Sequence, residues 1–265
     1  YIGRSPATND VRKAIVRLKD IDSPLAITGE VGVGKKLLAQ IIHNEGKRGL
    51  SGFEVVHCRG IDPKELENQI FGGGGNAGVL ASCVGGTVCF HEVSHMPLRL
   101  QKRLVAVLKT RRLEDKDLTL DIRAIFTTSK NIDKLANETG EFNEELSDYM
   151  FSSHCNLEPL RKRPQDVEDL LSYFLRKECR KQGLLLKEFS DEVKEELKNY
   201  DWPGNIAELQ KAVEKAVLYN PKAHIISKIT KTGATPIIDT TKSAITGLDN
   251  IPYARDFNIP LKDRV

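Results

Sequence analysis

The most constraining feature of this 265-residue chain is a glycine-rich turn between an apolar run and an amphipathic segment. The run Leu25–Thr28 is typical of a buried strand, and residues 36–44 have the periodicity of a helix. Between them, Gly29-Glu-Val-Gly-Val-Gly-Lys35 has the G-x-x-x-x-G-K spacing of a phosphate-binding loop. The backbone N–H groups of such a loop turn inward around an anion, and its lysine reaches the outer phosphates. We therefore predict a nucleotide site here.

The residue after this lysine departs from the general motif. A serine or threonine at that position supplies a hydroxyl to Mg²⁺, whereas this chain has Lys36. The loop therefore predicts ATP or ADP as the ligand and gives weaker grounds for Mg²⁺. The sequence assigns no metal ligand.

Residues 1–160 alternate short apolar runs with stretches of helical periodicity. Besides the first strand, we predict strands at 53–58, 87–90 and 122–127, and helices at 10–19, 36–44 and 98–108. This alternation is typical of a parallel sheet with helices on both faces. The predicted fold class is therefore α/β.

From about residue 164 the strand pattern stops. Helical periodicity runs through Val167–Lys181, 191–199 and 206–219, with Ser190 and Asn205 as predicted N-caps. Residues after about 227 are rich in Thr, Ser, Asp and Pro and have no sustained period. We predict an α/β subdomain at 1–160, a small helical subdomain at 161–225 and a linker or tail at 226–265.

Composition argues against several classes of function. The 40 Lys and Arg residues nearly balance the 37 Asp and Glu residues, so the net charge of +3 gives no electrostatic footprint for nucleic acid or an acidic membrane. No apolar run approaches the ~20 residues of a spanning helix, and the N-terminus lacks a signal-peptide pattern, so we expect a cytoplasmic protein without membrane contact. The five cysteines form no C-x-x-C pair and are predicted to be buried thiols.

Eight segments follow one another in the order of a known family. They are Tyr1-Ile-Gly-Arg-Ser-Pro6, Gly29-Glu-Val-Gly-Val-Gly-Lys35, Ile70-Phe-Gly72, Gly85-Gly-Thr-Val-Cys-Phe-His-Glu-Val93, Pro97-Leu-Arg-Leu-Gln101, Asp121-Ile-Arg123, Pro159-Leu-Arg-Lys-Arg163 and Trp202-Pro-Gly-Asn205. Over about residues 1–225 the chain resembles the central AAA+ ATPase domain of the sigma-54-dependent transcription activators, the NtrC-like enhancer-binding proteins. The resemblance implies a P-loop AAA+ sheet, a helical lid at 161–225, ring assembly and ATP-driven remodelling of RNA polymerase.

The resemblance also implies which residues contact the nucleotide. It places Ile2 and Gly3 near the adenine. Around the phosphates it places Gly29, Glu30, Val31, Gly32, Val33, Gly34, Lys35, Lys36 and Leu37.

Several positions depart from what the family uses for hydrolysis. The family's Asp-Glu pair, which holds Mg²⁺ and activates water, is His91-Glu92 here, and an imidazole is a poor ligand for a hard cation. Glu92 is thus the single residual catalytic candidate. The positions of the arginine fingers, which are worth ~10³–10⁵ in turnover in related systems, are Asn143 and Tyr149.

The sensors and the output loop also differ. The lid's sensor arginine is replaced by Ala207, and the sensor asparagine by Ser129, whose hydroxyl can still form a hydrogen bond. Only residues 73–84 separate Gly72 from Gly85, so the family's GAFTGA insertion is predicted to be missing, which weakens the case for contact with sigma-54 RNA polymerase. A homo-oligomer is one candidate assembly, and DNA contact is expected only through a domain outside this sequence.

These departures predict a degenerate regulatory module that binds nucleotide and hydrolyses it poorly or not at all. Three alternatives stay open: a functional ATPase that activates sigma-54 polymerase, a purely structural domain, and a zinc hydrolase. The last arises because His91-Glu-Val-Ser-His95 spells H-E-x-x-H, which requires an α-helix. Here the motif follows a strand-like run and precedes Pro97, which disfavours helical geometry in the residue before it.

Overall fold

A five-stranded parallel sheet forms the centre of the computed structural model, which describes residues 1–113, 116–137 and 139–229. The strands are β1 (Leu25–Thr28), β2 (Phe53–His57), β3 (Thr87–His91), β4 (Arg112–Leu113), β5 (Lys116–Thr119), β6 (Arg123–Thr128), β7 (His154–Asn156), β8 (Glu188–Phe189) and β9 (Ile225–Ile226). The central sheet has the order β2-β3-β6-β1-β7, and all of its strand pairs are parallel. The carboxyl ends of β1, β3 and β6 therefore meet along one edge.

Helices cover both faces of this sheet and form the segment that follows it. They are α1 (Pro6–Leu18), α2 (Lys35–Asn44), α3 (Pro63–Phe71), α4 (Val79–Ser82), α5 (Leu98–Thr110), α6 (Ile132–Asn137), α7 (Glu144–Met150), α8 (Val167–Lys181), α9 (Asp191–Lys198) and α10 (Asn205–Tyr219). In the described part of the chain, no helix is both long and apolar enough to cross a bilayer.

Burial of the strands on both faces explains their unbroken apolar runs. Side chains from α1 and α2 pack on one face, with Leu25 and Ile27 at the centre of that cluster. Side chains from α3, α5 and α7 pack on the other face around Phe90 and Phe126, whose rings stack with centroids 5.3 Å apart. Each such side chain contributes about 1.5–3 kcal/mol by leaving water. These two layers hold the edge that carries the phosphate-binding loop.

The helical segment after the sheet has an apolar core of its own. Trp202 is fully buried there with Leu209 and Val213, and its indole N–H donates to the Leu197 carbonyl at 2.8 Å. Ser190 caps α9 by accepting a hydrogen bond from the Val193 N–H, as predicted. The short parallel pair of β8 and β9 closes this segment and was not predicted.

All of the predicted strands and helices are present, and all but the first helix agree to within about two residues. Strands β1, β2, β3 and β6 are present, and the strand β7 was missed because it is only three residues long. The first helix begins at Pro6, not at residue 10, because Ser5 caps it by accepting from the Thr8 N–H. Ile226 belongs to β9, and the rest of the predicted tail from residue 230 lies outside the described residues.

The prediction that Asn205 caps the last helix is wrong. The cap position is Gly204, and the Asn205 side chain accepts from the Leu160 N–H at 2.8 Å instead of from its own helix. Asn205 has φ 54°, a left-handed conformation that asparagine tolerates better than most residues. A tertiary contact therefore takes the side chain that local rules assign to the cap. The five cysteines are buried and unpaired, as predicted.

Candidate nucleotide-binding site

The predicted phosphate-binding loop lies between β1 and α2, at the carboxyl edge of the sheet. Gly32 has φ 82°, and a Cβ there would come within 2.2 Å of the Gly204 carbonyl oxygen, so glycine is required. The loop runs directly into α2, whose first residue is Lys35. A helix N-terminus at this place adds positive potential for an anion.

The lysine of the loop is held by three acceptors. Lys35 is 4% exposed, and its ammonium group donates to the carbonyl oxygens of Gly29 at 2.7 Å and Glu30 at 3.0 Å. It also pairs with Glu92 Oε1 at 2.9 Å. An ammonium group has three N–H donors, so a phosphate would have to compete with protein acceptors for Lys35.

The residual catalytic candidate, Glu92, is engaged through both carboxylate oxygens. Oε1 pairs with Lys35, and Oε2 accepts from the Ser129 N–H at 3.0 Å and the Ser129 hydroxyl at 2.7 Å. Burial alone would raise the pKa of Glu92, but hydrogen bonds from Ser129 and Lys35 outweigh it and lower that pKa below its usual value. Glu92 is therefore ionised, and both of its oxygens are committed to protein donors.

The residue before Glu92 does not fit a magnesium site. His91 Nδ1 lies 2.7 Å from the Thr127 hydroxyl, and its ring meets that of His57 edge-on with centroids 5.3 Å apart. Burial, above all, lowers the pKa of His91 and keeps the ring neutral near pH 7. Mg²⁺ requires oxygen ligands, so the imidazole at position 91 is a poor ligand for it.

The H-E-x-x-H segment does not form the helix that a zinc hydrolase requires. His91 ends β3, and Val93–His95 form a single 3₁₀ turn, so the two histidines do not share one face of an α-helix. Within the described ranges, no group of three or more His, Cys, Asp and Glu side chains is arranged to hold a metal ion.

The lid contacts the phosphate-binding loop directly. Asn205 donates to Glu30 Oε2 at 3.2 Å and to the Val31 carbonyl at 3.0 Å, and Arg161 forms a bidentate pair with Glu30 at 2.6 and 2.8 Å. The hydrogen bond from Arg161 is the largest cause that lowers the pKa of Glu30 to about 2; burial opposes it, and the hydrogen bond from Asn205 adds to the lowering. These contacts hold the lid against the loop.

The predicted sensor position also lies at the loop. The Ala207 N–H donates to the Gly32 carbonyl at 3.2 Å. An alanine side chain ends at Cβ, so position 207 presents no charge to a phosphate. The predicted loop residues Val31, Lys36 and Leu37 are exposed.

The N-terminal segment, predicted to lie near the adenine, is tied to both parts of the molecule. Ile2 packs against the lid core, and the Tyr1 hydroxyl donates to the Val33 carbonyl at 3.3 Å. Arg163 is 2% exposed and donates to the Tyr1 hydroxyl at 3.2 Å. The segment Tyr1–Gly3 therefore lies beside the loop.

Sequence reasoning missed the buried carboxylate that fixes this segment. Asp166 accepts from the N–H groups of Arg4 and Ser5, each at 2.7 Å, and from the hydroxyls of Ser5 and Thr8. A Cβ on Gly3, which has φ 132°, would lie 2.4 Å from the Asp166 carboxylate. No local pattern marks Asp166, because its partners are about 160 residues away in the chain.

The positions of the two arginine fingers have structural roles. Asn143 caps α7 by accepting from the Leu146 N–H at 2.9 Å. The Tyr149 ring meets Phe126 edge-on with centroids 6.4 Å apart. Neither side chain carries the positive charge that an arginine finger supplies.

Comparisons with known proteins agree with this arrangement. The family described as "Sigma-54 interaction domain" matches residues 1–153, and that described as "AAA+ ATPase lid domain" matches residues 161–235. The transcriptional regulator NtrC of Azospirillum brasilense is 34% identical over 83% of this chain, which spans 48% of that protein. Two crystal structures of NtrX from Brucella abortus, one with ADP and one with ATP, each match with a TM-score of 0.81, at 26% and 27% sequence identity. Each match covers 86% of this chain, and it covers 54% of the NtrX chain with ADP and 53% of the one with ATP.

The fold and the loop define a P-loop domain of the AAA+ class, with a parallel sheet flanked by helices and a helical lid. Within that class, the chain belongs to the family of the sigma-54 interaction domain, the AAA+ central domain of the sigma-54-dependent activators. It spans about half the length of the NtrC relative.

Proposed function

We propose that this chain is the nucleotide-binding AAA+ module of a transcription regulator, with ATP hydrolysis and polymerase remodelling impaired. The observation that carries the proposal is the contact chain Lys35–Glu92–Ser129. In it the loop lysine forms an ion pair with the carboxylate proposed to activate water, and Ser129 donates to the other oxygen of that carboxylate. Protein donors take three of the roughly four lone-pair positions of this carboxylate, so it keeps little capacity for orienting water.

ATP or ADP is the proposed ligand. The strand–loop–helix geometry and the buried lysine provide a phosphate cradle, and the related NtrX was crystallised with both nucleotides. The proposed contacts are Ile2 and Gly3 on the base side and residues 29–37 around the phosphates. Mg²⁺ finds little support, because His91 replaces the expected carboxylate.

The proposed partners follow from the family. A homo-oligomer is the assembly that sigma-54 activators use, although Asn143 and Tyr149 supply no charge to a neighbouring subunit. The short segment at residues 73–84 argues against a GAFTGA-type contact with polymerase. DNA binding would come from another domain of the regulator, acting in the cytoplasm. The proposed domains are 1–160 and 161–225, with Ile226 added to the second because it pairs with Phe189, and a linker or tail follows up to residue 265.

Calorimetric titration with ADP and ATP in EDTA, and then with Mg²⁺, tests the binding half. We expect binding without Mg²⁺ and a loss of about 10–100-fold in Lys35→Ala, since a charged hydrogen bond is worth about 1.5–3 kcal/mol. The exposed Lys64→Ala is the matched control and should bind as the parent chain does. No heat and no thermal shift with either nucleotide would favour a purely structural domain.

Phosphate release from the same samples tests the hydrolysis half. We expect no turnover above the Lys35→Ala background. A functional ATPase is the second candidate, favoured by the ionised state of Glu92. Mg²⁺-dependent phosphate release that Lys35→Ala abolishes would establish it and refute impairment.

A further inference from the structure

Two histidines meet at the carboxyl edge of the sheet, beside the phosphate-binding loop. His57 ends β2, His91 ends β3, and the parallel register pairs them directly. Their rings are perpendicular, with centroids 5.3 Å apart. His57 is exposed and His91 is half-buried, so the pair is open to solvent on one side.

This pair adjoins the predicted position of the polyphosphate. His91 directly precedes Glu92, whose carboxylate pairs with the loop lysine at 2.9 Å. A cation at the imidazoles would therefore lie close to the Lys35 ammonium, which repels it. A polyphosphate in the loop would neutralise that charge and offer oxygen ligands, so binding of a cation and of nucleotide should reinforce each other.

The surroundings of His91 match those of a metal-binding histidine. Its Nδ1 is in contact with the Thr127 hydroxyl, and that hydroxyl also accepts from the Glu92 N–H at 3.1 Å. Metal-binding histidines use one ring nitrogen for the ion and the other for a fixed hydrogen bond that orients the ring. In the tautomer with hydrogen on Nδ1, the Nε2 lone pair of His91 is available to a cation.

We propose that His57 and His91 are two ligands of a divalent cation of the Co²⁺, Ni²⁺ or Zn²⁺ type, bound together with the nucleotide polyphosphate. Imidazole suits these borderline ions, whereas Mg²⁺ requires oxygen. The two histidines would be the protein ligands, and phosphate oxygens and water would complete the coordination of the ion. This agrees with the finding that the described residues hold no cluster of three protein ligands. The proposal rests on the proposed binding of nucleotide, and it replaces Mg²⁺ by one of these ions as the cation bound with the nucleotide.

Titration of the 265-residue chain with CoCl₂ tests the site by calorimetry and by the visible absorption of bound Co²⁺. We expect Co²⁺ to bind at least ~10-fold more tightly with saturating ADP than without it, after subtraction of a protein-free ADP titration. His57→Ala and His91→Ala should each weaken Co²⁺ at least ~10-fold, since each removes a metal ligand. The exposed lid variant His224→Ala is the control and should bind Co²⁺ unchanged.

A change of metal preference gives a second readout. His91→Asp should shift the ratio of Co²⁺ to Mg²⁺ affinity toward Mg²⁺, because a carboxylate is the harder ligand. The exposed His57→Gln removes a ligand with little risk to folding, and thermal melts of every variant check this.

The possible failures are distinguishable. If ADP binds in EDTA but His57→Ala, His57→Gln and His91→Ala keep the parent affinity for Co²⁺, the histidine site is refuted and the proposed function stands. If ADP binds neither in EDTA nor with Co²⁺, nucleotide binding is refuted, and the phosphate-bridged site with it.

Discussion

At the scale of single residues, a buried ion pair between Lys35 and Glu92 sets the charge inside the phosphate-binding loop. The side chains of Lys35 and Glu92 are both largely buried, and each charge compensates the other. Breaking a buried pair from one side is costly, because the remaining charge has lost its partner. A nucleotide bound in the loop would therefore have to replace Glu92 as the counter-charge of Lys35, and we expect repulsion between this carboxylate and the phosphates to weaken its binding.

The first prediction concerns Glu92→Gln. Glutamine keeps the shape and one hydrogen-bond acceptor but removes the negative charge, so ADP should bind about 10-fold more tightly while the free protein loses about 1–3 kcal/mol of unfolding free energy. ADP calorimetry and urea unfolding measure the two effects. Ser129→Ala, which preserves the ion pair, should change ADP affinity less. Weaker ADP binding by Glu92→Gln would contradict this account of the competition.

At the scale of elements, two contacts of different quality hold the lid on the loop. Arg161 and Glu30 form a bidentate pair, but both side chains are 41% exposed. Asn205 is fully buried and joins the Glu30 carboxylate, the Val31 carbonyl and the Leu160 N–H. An exposed ion pair contributes about 0–1 kcal/mol, whereas removing the partner of buried polar groups costs about 1–3 kcal/mol.

We therefore predict a larger loss of unfolding free energy for Asn205→Ala, about 1–3 kcal/mol or more, than for Arg161→Ala, about 0–1 kcal/mol. Because Asn205 has φ 54°, alanine also adds backbone strain. Asn205→Gly removes the side chain without that strain and separates the two causes. Urea unfolding measures all three variants, and a larger effect of Arg161→Ala than of Asn205→Gly would contradict the ranking.

At the scale of the whole molecule, one buried carboxylate joins the N-terminal segment to the lid. Asp166 accepts hydrogen bonds from Arg4, Ser5 and Thr8 while it sits at the start of the lid's first helix. The chain segments before α1 and before α8 are thereby held together beside the phosphate-binding loop. The nucleotide contacts proposed for Ile2 and Gly3 would depend on this link.

Asp166→Ala should lose about 3 kcal/mol or more of unfolding free energy, because several buried donors lose a charged acceptor. Asp166→Asn keeps an acceptor and should lose less. We also expect ADP to bind more weakly to the alanine variant, since the N-terminal segment is released. Urea unfolding and ADP calorimetry test this, and an Asp166→Ala protein as stable as its parent would rule out the proposed link.

Three histidines that lose part or all of their hydration on folding make the stability of the whole molecule depend on pH. Burial, the largest cause in each case, lowers the pKa of His43, His91 and His154 below the ordinary value of 6.5. Below pH 6.5 the unfolded chain then binds more protons than the folded one, so the unfolding free energy falls as the pH falls. Carboxylates with lowered pKa values affect the unfolding free energy at lower pH. The pKa of Glu30, for example, is about 2 in the folded chain and 4.5 ordinarily, so its contribution is lost only as the pH falls below about 4.5.

We therefore predict that the urea midpoint decreases between pH 7.5 and pH 5. His43→Gln should make that decrease shallower, since His43 Nδ1 and Nε2 contact the Thr87 hydroxyl and the Ser51 carbonyl, which an uncharged amide can also reach. A midpoint that stays constant or rises on acidification would contradict the lowered pKa values of these imidazoles.

Local patterns of sequence were sufficient for the loop and for the strands and helices that were predicted, but not for the short elements α3, α4, α6 and α7. The run Leu25–Thr28, the glycines after it and the periodicity of α2 lie within about twenty consecutive residues, so nearest-neighbour geometry specifies them. Ser190 at the start of α9 is predictable for the same reason. The short strand β7 was not, because three residues are too few for a period.

The site itself depends on contacts between distant parts of the chain. Lys35 meets Glu92, His57 meets His91, and Asp166 meets Ser5 only because parallel crossovers and the lid bring those segments together. No periodicity encodes such pairs, and the same cause explains why Asn205 leaves its expected cap for the loop. The sequence alone was thus enough to predict a phosphate-binding loop. Which charges surround that loop was decided by the tertiary structure, which packs the strand ends and the lid against it.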